Sequence, residues 1–245
     1  REQVFNLKGA SAYLGVLIPL AAMGLVIPRF TESTADASAS PLLAVFLIVM
    51  SLVLYGVFLG LQSAQQRHHF QEPSTTGAEA GPSAEDHHHD AEVIGTGYHA
   101  ILLVMSMLPI VLLSKKMARV VDHGTAALGA PAALGGFLVA ILVLSPEAMA
   151  AVRAALANRL QRTFNITLGS AVATIGLTIP AVLVIGLVTG KTVELGLDNV
   201  EMVLLVTTIL SAMVNFGSGR STVLQGTIHL LLFIAYVVLL FDVPA

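Results

Sequence analysis

Residues 145–180 read SPEAMAAVRAALANRLQRTFNITLGSAVATIGLTIP, and this stretch decides the fold. Its polar residues cluster in the middle, at Asn158, Arg159, Gln161 and Arg162, and long apolar runs lie on either side. A membrane-spanning helix takes about 20 predominantly apolar residues. The stretch therefore predicts two antiparallel membrane helices joined by a polar turn.

The composition of the whole chain also indicates a membrane protein. Of its 245 residues, 56% are hydrophobic and 11% are charged, whereas soluble domains average about 45–50% and about 25%. These charges are too few to cover a soluble surface, and a formal net charge of −3 gives no reason to expect a nucleic-acid partner. Cysteine is absent, so disulfides and thiolate ligands are excluded.

Seven stretches qualify as membrane helices by length and apolar character. They are Gly9 to Pro28, Ser40 to Gln62, Tyr98 to Ser114, Ala126 to Leu144, Thr163 to Val188, Asn199 to Phe216 and Ser221 to Phe241. None alternates with the two-residue period of a barrel strand. The sequence therefore predicts an all-α, polytopic transmembrane helical bundle with membrane lipid around it.

A hydrophilic segment, residues 63–97, interrupts this apolar pattern. It separates a first pair of membrane helices, residues 1–62, from the rest of the chain. One helix with a loop is expected over residues 98–125, and a four-helix unit over residues 126–245. The domain organisation thus follows the position of the hydrophilic segment.

The hydrophilic segment contains a short run of carboxylates and imidazoles. Its members are Asp86, His87, His88, His89 and Asp90. Oxygen and nitrogen ligands of these kinds suit divalent cations without selecting one. A charged linker needs no ligand at all, so a cation-sensing loop and a plain linker both remain open.

Glu147 is an acidic residue between two apolar runs, and nothing close in sequence neutralises it. A carboxylate at membrane depth is expensive and generally marks an ion or proton path. Pro146 removes a backbone donor, which predicts a helix break that exposes a carbonyl to a cation. The alternative is a fourth helix that ends at Leu144, with Glu147 at the mouth of a following surface helix.

Counting outward from the polar turn brings further candidates to the depth of Glu147. The midpoint between Glu147 and Ser170 is residue 158.5, inside the turn, so an antiparallel pair holds them at similar height. Thr174 lies one turn beyond Ser170 on the same face. Together with Asn165, these form the candidate cation- and proton-binding residues. The alternative is that the hydroxyls only bond to their own backbone.

His229 lies near the middle of the otherwise apolar seventh stretch. A single packing hydrogen bond would account for it. A proton relay is the alternative, because histidine ordinarily changes charge between about pH 5 and 8.

The hairpin also carries a resemblance to a known family. Ser145-Pro146-Glu147, Asn158, Leu168-Gly169-Ser170-Ala171 and Pro180 resemble the second signature repeat of the cation/proton exchangers in the calcium:cation antiporter superfamily. The nearer likeness is to bacterial calcium/sodium:proton antiporters of the ChaA type. It continues through residues 215–220 and 224–226 to Tyr236.

The resemblance implies roles for individual residues. Glu147 takes the place of the ion-binding and proton-exchanging glutamate, and Ser170 that of a cation-coordinating hydroxyl. Thr174 stands where sodium/calcium exchangers carry an acid, and its neutrality fits a proton-coupled branch.

The resemblance also implies what the protein does and what accompanies this chain. Such antiporters have two inverted repeats, each with a glutamate, and only one such hairpin is found here, so a first repeat is expected as the missing partner. The implied function is exchange of Ca²⁺ and/or Na⁺, with K⁺ as a further candidate, for H⁺ across the bacterial inner membrane. No cofactor beyond the transported ions and no enzyme activity are expected. A non-transporting or channel-like scaffold with a cation-binding loop is the other open function.

Overall fold

The computed structural model describes residues 3–31, 39–65, 95–217 and 219–242. The α-helices in these ranges are α1 (Leu7–Ala21), α2 (Pro41–Gly60), α3 (Thr96–Ala127), α4 (Ala132–Leu156), α5 (Leu160–Thr189), α6 (Asn199–Phe216) and α7 (Val223–Leu239). Two short strands, β1 (Gln3–Val4) and β2 (Arg220–Ser221), pair in antiparallel fashion. The predicted all-α fold is confirmed.

The helices also have the lengths that a membrane requires. Six helical segments of the described chain are long and apolar enough to cross a bilayer. They are Leu7–Phe30, Pro41–Ser63, Gly97–Ala127, Ala133–Leu156, Leu160–Thr189 and Asn199–Phe216. Val223–Leu239 is apolar as well but shorter. The protein is therefore a multi-pass membrane protein, and each of the seven predicted stretches corresponds to a helix.

The first two spans continue beyond their α-helical parts. A π-helical turn over Ala22–Val26 and a 3₁₀ turn over Ile27–Phe30 extend α1. A π-helical turn over Leu61–Gln65 extends α2. Such turns keep the backbone hydrogen-bonded locally, which a span needs because lipid offers no partners.

The boundaries of the third and fourth helices differ from the prediction. The apolar stretch ends at Ser114, but α3 continues to Ala127 because Lys115, Lys116 and the following residues favour helix even though they are polar. The fourth helix was predicted from Ala126 and begins instead at Ala132. Gly129, with a φ of 61°, forms the intervening turn.

Pro146 does not interrupt α4, so the predicted helix break is wrong. The alternative of a helix ending at Leu144 is wrong too, since α4 runs over Ala132–Leu156 with Pro146 inside it. Proline removes one backbone donor, but membrane helices tolerate this where local adjustment or neighbouring groups satisfy the carbonyl. Glu147 therefore lies within a helix rather than at the mouth of one.

The chain forms two compact units. One consists of residues 1–73 and 144–239, and the other of residues 74–143 and 240–245. All candidate residues from Glu147 to Thr174 belong to the first unit. That unit also contains α1, α2, α5, α6 and α7.

The core of the first unit forms where α1 and α2 pack on α5. One cluster contains Tyr13, Leu20, Phe58 and Val172, and another contains Ala44, Leu47, Ile179 and Leu183. Gly176 permits the close approach, because a Cβ there would lie 3.3 Å from Cβ of Tyr55. Close packing at small residues is a main source of helix association in membranes. It holds α5 as the central helix of this unit.

Candidate ion-binding site

Glu147 is half-buried on α4, and its Oε2 atom is buried with no hydrogen-bond partner among the described residues. Its neighbours one turn further along the helix are Ala150 and Ala151, which offer no side-chain donor. Leaving a buried acceptor unsatisfied costs about 1–3 kcal/mol, and more when it is charged. A proton or a cation at this oxygen would remove that cost.

Ser170, Thr174 and Thr178 differ from the other hydroxyl residues of α5. Thr163, Thr167 and Thr189 each donate a hydrogen bond to the backbone carbonyl four residues earlier, at 3.2, 3.0 and 2.7 Å. In the part of the chain that the structure describes, Ser170 and Thr174 make no hydrogen bond. Ser170 is half-buried and Thr174 is exposed. The alternative that these two hydroxyls serve their own backbone is therefore not what the structure shows.

The turn between α4 and α5 forms as predicted. Asn158 adopts a left-handed conformation with a φ of 60°, which asparagine tolerates better than most residues. Across the turn, Thr163 Oγ1 donates to the Ala151 carbonyl at 3.2 Å. No hydrogen bond joins Glu147 to Ser170, Thr174 or Asn165 in the described ranges, so their common depth remains a prediction.

Asn165 is held in a network that connects α5 to the start of α1. The fully buried Gln161 donates from Nε2 to Asn165 Oδ1 at 3.0 Å. Its Oε1 accepts from the backbone N–H of Asn6 at 2.7 Å. The Asn165 amide oxygen therefore already accepts a hydrogen bond. Through Gln161, this contact helps to hold the first turns of α5 against the start of α1.

Tyr13 and Gln62 lie beside the Ser170 segment, and the sequence analysis missed both. Gln62 Nε2 donates to the Tyr13 hydroxyl at 2.8 Å, and Tyr13 is fully buried. The Tyr13 ring lies 3.6 Å from the position that a Cβ of Gly169 would occupy. Three separate helices meet at this point, so no local sequence signal could have paired these residues.

The predicted loop ligands, Asp86, His87, His88, His89 and Asp90, lie outside the described residues, so their metal binding stays a prediction. Within the described ranges, no group of three or more histidine, aspartate or glutamate side chains is placed to hold a metal ion. The structural case for an ion site therefore centres on Glu147.

The fold and this residue together define a class of protein. A carboxylate inside a membrane helix generally faces a cavity or an ion pathway rather than serving as packing. Here the helix belongs to a multi-pass bundle, and one carboxylate oxygen is buried without a partner. This combination is typical of membrane proteins that transport ions.

Comparison with known proteins gives the family. Residues 98–241 match the family described as sodium/calcium exchanger protein, which is more than half of the chain. The chain belongs to this family of membrane transporters. No solved structure matches it.

Individual relatives agree with this family. The chain is 38% identical over 239 residues to the "Putative ionic transporter y4hA" of Sinorhizobium fredii, covering 98% of this chain and 63% of that protein. It is 36% identical over 239 residues to the sodium-potassium/proton antiporter ChaA of Escherichia coli, covering 98% and 64%. It is 26% identical over 240 residues to vacuolar cation/proton exchanger 3 of Oryza sativa, covering 96% and 57%. The chain thus spans less than two thirds of the length of these relatives.

Proposed function

We propose that this chain forms the second half of a secondary antiporter that exchanges Ca²⁺ and/or Na⁺, with K⁺ as a further candidate, for H⁺ across the bacterial inner membrane. The observation that carries the proposal is the buried, unpartnered Oε2 atom of Glu147 inside a membrane-length helix. Family membership supports cation exchange. The similar proteins of Escherichia coli and Oryza sativa are a proton antiporter and a cation/proton exchanger by name, which supports the proton as the counter-ion.

The mechanism is competition between a proton and a cation at Glu147. A buried acceptor without a hydrogen-bond partner is costly, so a proton or a cation that reaches the Oε2 atom of Glu147 is stabilised there. Ser170 is the second proposed ligand, since its hydroxyl has no other hydrogen bond in the described chain and the polar turn relates it to Glu147. Thr174 is the third, one turn further along α5. Because only neutralised states cross the membrane cheaply, the two ions exchange rather than leak.

The choice among Ca²⁺, Na⁺ and K⁺ depends on ligand number and cavity size. Oxygen ligands serve all three ions, and Ca²⁺ takes six to eight of them. Fewer oxygen ligands than this are available from the side chains of Glu147, Ser170 and Thr174. We therefore propose that a first repeat, with its own glutamate, completes the site, which is consistent with the greater length of the relatives.

The scaffold alternative loses one of its two supports. It combined a cation-binding loop, which lies outside the described residues, with Glu147 capping a surface helix, and α4 continues through this position without a break. A carboxylate within a continuous apolar helix has no capping role, because the backbone N–H groups there already have intrahelical partners.

Transport by the full-length protein tests the proposal. Inverted vesicles are energised to form a pH gradient, and its collapse is followed by a fluorescent dye after addition of Ca²⁺, Na⁺ or K⁺. We expect Glu147→Gln to abolish cation-driven proton movement, because glutamine can neither bind a proton nor carry the negative charge that attracts a cation. Glu194→Gln is the matched control, since Glu194 is exposed between α5 and α6. Exchange that survives in Glu147→Gln at normal membrane levels refutes the proposal.

A further inference from the structure

The α6–α7 hairpin carries a second set of polar residues, on helices other than that of Glu147. Glu201 and Thr208 of α6 are seven residues apart, as are His229 and Tyr236 of α7. A seven-residue step is two helical turns, about 10.5 Å, and keeps residues on one face. Glu201 and Tyr236 are equally far from the turn, and so are Thr208 and His229. In an antiparallel hairpin, the two members of each pair lie at the same depth. The helices therefore present one polar pair at each of two depths.

A shared cavity confirms that the polar faces of α6 and α7 meet. Glu201, Thr208, His229 and Tyr236 all line one cavity of about 370 Å³. Because one water takes about 30 Å³ in the liquid, this space is large enough for several. The rest of its lining is apolar, from Leu197, Leu204, Leu205, Leu232 and Phe233. Waters in it would find their polar partners among the four side chains named above.

His229 also lines a second cavity, of about 180 Å³, next to Asn215. The lining from other elements includes Phe5, before α1, and Phe164 of α5. Among the residues that line the two cavities, Glu201 and Tyr236 are the other titratable groups. His229 is thus a titratable side chain of α7 that lines both cavities.

The Nδ1 atom of His229 lies between a hydrogen-bond acceptor and a hydrogen-bond donor. It is 3.0 Å from the Gln225 carbonyl, which only accepts, and 3.2 Å from Nδ2 of Asn215, which only donates. A neutral imidazole satisfies one of these two contacts through Nδ1, and its tautomer decides which one. An imidazolium ion carries hydrogens on both ring nitrogens and would donate from Nδ1 to the Gln225 carbonyl. Nε2 has no hydrogen-bond partner in the described part of the chain.

We propose that His229 is a second proton-binding site of the exchanger, which takes up a proton on the bare nitrogen of its neutral ring from water in the cavity that it shares with Glu201 and Tyr236. Hydronium transfers its proton to that nitrogen, leaving water and an imidazolium ion, and release reverses the step. This proton is not exchanged for the cation at Glu147. It charges the α6–α7 hairpin at low pH and so makes exchange depend on pH. The inference deepens the proposed antiport and rests on it for that last consequence.

The first test measures proton binding directly. The full-length protein, with ¹⁵N-labelled histidine, is placed in lipid nanodiscs, and the resonance absent from His229→Gln is followed by NMR. We expect the ring to be neutral at high pH and to become an imidazolium ion as the pH is lowered. A ring that stays neutral throughout overturns the proposal. If His229→Gln does not insert, His229→Asn replaces it for the assignment.

The second test measures exchange as a function of pH. Proteoliposomes with saturating Ca²⁺ outside are assayed from pH 5.5 to 8.5, and we expect His229→Gln to lose one titration step of the rate. The matched controls are His99→Gln and His123→Gln, since both histidines are exposed on α3. A profile in His229→Gln that equals the wild-type profile overturns the regulatory role.

The two proposals fail in different ways. If Glu147→Gln retains exchange, the proposed function is wrong, while the NMR titration still decides whether His229 binds a proton. If Glu147→Gln abolishes exchange, the His229 resonance does not titrate and His229→Gln leaves the pH profile unchanged, the antiport stands and only the second proton site is wrong.

Discussion

Glu147 is an acidic residue with one buried carboxylate oxygen, Oε2, that has no hydrogen-bond partner among the described residues. Its helical neighbours Ala150 and Ala151 are apolar. A group of this kind is costly in a protein selected only for stability. The cost is understandable where the function requires a carboxylate that is neutralised by two ions in turn.

Ser170 provides a prediction at the residue scale. We expect Ser170→Ala to raise the apparent KM for the cation about tenfold or more, because a hydrogen-bonding or ligating contact to a charged group is worth about 1.5–3 kcal/mol. Initial rates of pH-gradient collapse over a range of Ca²⁺ and Na⁺ concentrations give this constant.

Thr167→Ala is the control for Ser170→Ala. Thr167 lies on the same helix, but its hydroxyl donates to the Thr163 carbonyl at 3.0 Å and is exposed. Its removal should leave the KM within about twofold, because a bond to its own backbone contributes little. Equal effects of the two substitutions would show that Ser170 has no special role in cation binding.

At the scale of single elements, α5 organises the first unit. It packs against α1 and α2, bears Ser170 and Thr174, and is tied at its base to Asn6 through Gln161. The Tyr13–Gln62 hydrogen bond lies against Gly169, one residue from Ser170. The position of the Ser170 hydroxyl therefore depends on how closely α1 and α2 approach α5.

Gly176 gives the prediction at this scale. We expect Gly176→Leu to lower the thermal stability of the detergent-solubilised protein, because a side chain there would meet Tyr55 and Leu20, at 3.3 and 3.5 Å from the Cβ position. Overpacking of this kind typically costs about 1–3 kcal/mol. The midpoint of thermal unfolding, followed by circular dichroism, measures the effect.

Gly56→Leu is the matched control for Gly176→Leu. Gly56 lies on α2, and nothing lies within 4 Å of the position that its Cβ would occupy. Its substitution should change the midpoint little. A loss of stability as large in Gly56→Leu as in Gly176→Leu would mean that helix propensity, not packing on α5, determines the result.

At the scale of the whole molecule, the chain spans 63% and 64% of its relatives from Sinorhizobium fredii and Escherichia coli. We expect this chain alone to insert into vesicles without catalysing exchange, because Glu147, Ser170 and Thr174 are too few ligands for a cation. Joining it to the upstream segment that the proposed first repeat requires should restore pH-gradient collapse on addition of Ca²⁺ or Na⁺. Exchange by this chain alone would show that the site is complete without a first repeat.

Much of the fold could be predicted from the sequence because the length of an apolar run is a local property. Asn199–Phe216 was predicted with both of its ends, and the polar turn around Asn158 was also found. The end of α3 was missed because the residues after Ser114 are polar. They remain helical, but the prediction followed the apolar run, which ends there. Pro146 was misjudged because its effect on α4 depends on how the surrounding backbone adjusts.

The sequence by itself determined that this is a multi-pass helical protein and that Glu147 is an acid between two apolar runs, because a charge within an apolar run is visible in one segment. Only the tertiary structure decided which polar side chains are already partnered. It tied Asn165 to Gln161, paired Tyr13 with Gln62, and left Glu147 Oε2 without a hydrogen bond to any described residue. The physical reason is that these contacts join helices far apart in the chain, and their partners are fixed only when the helices pack.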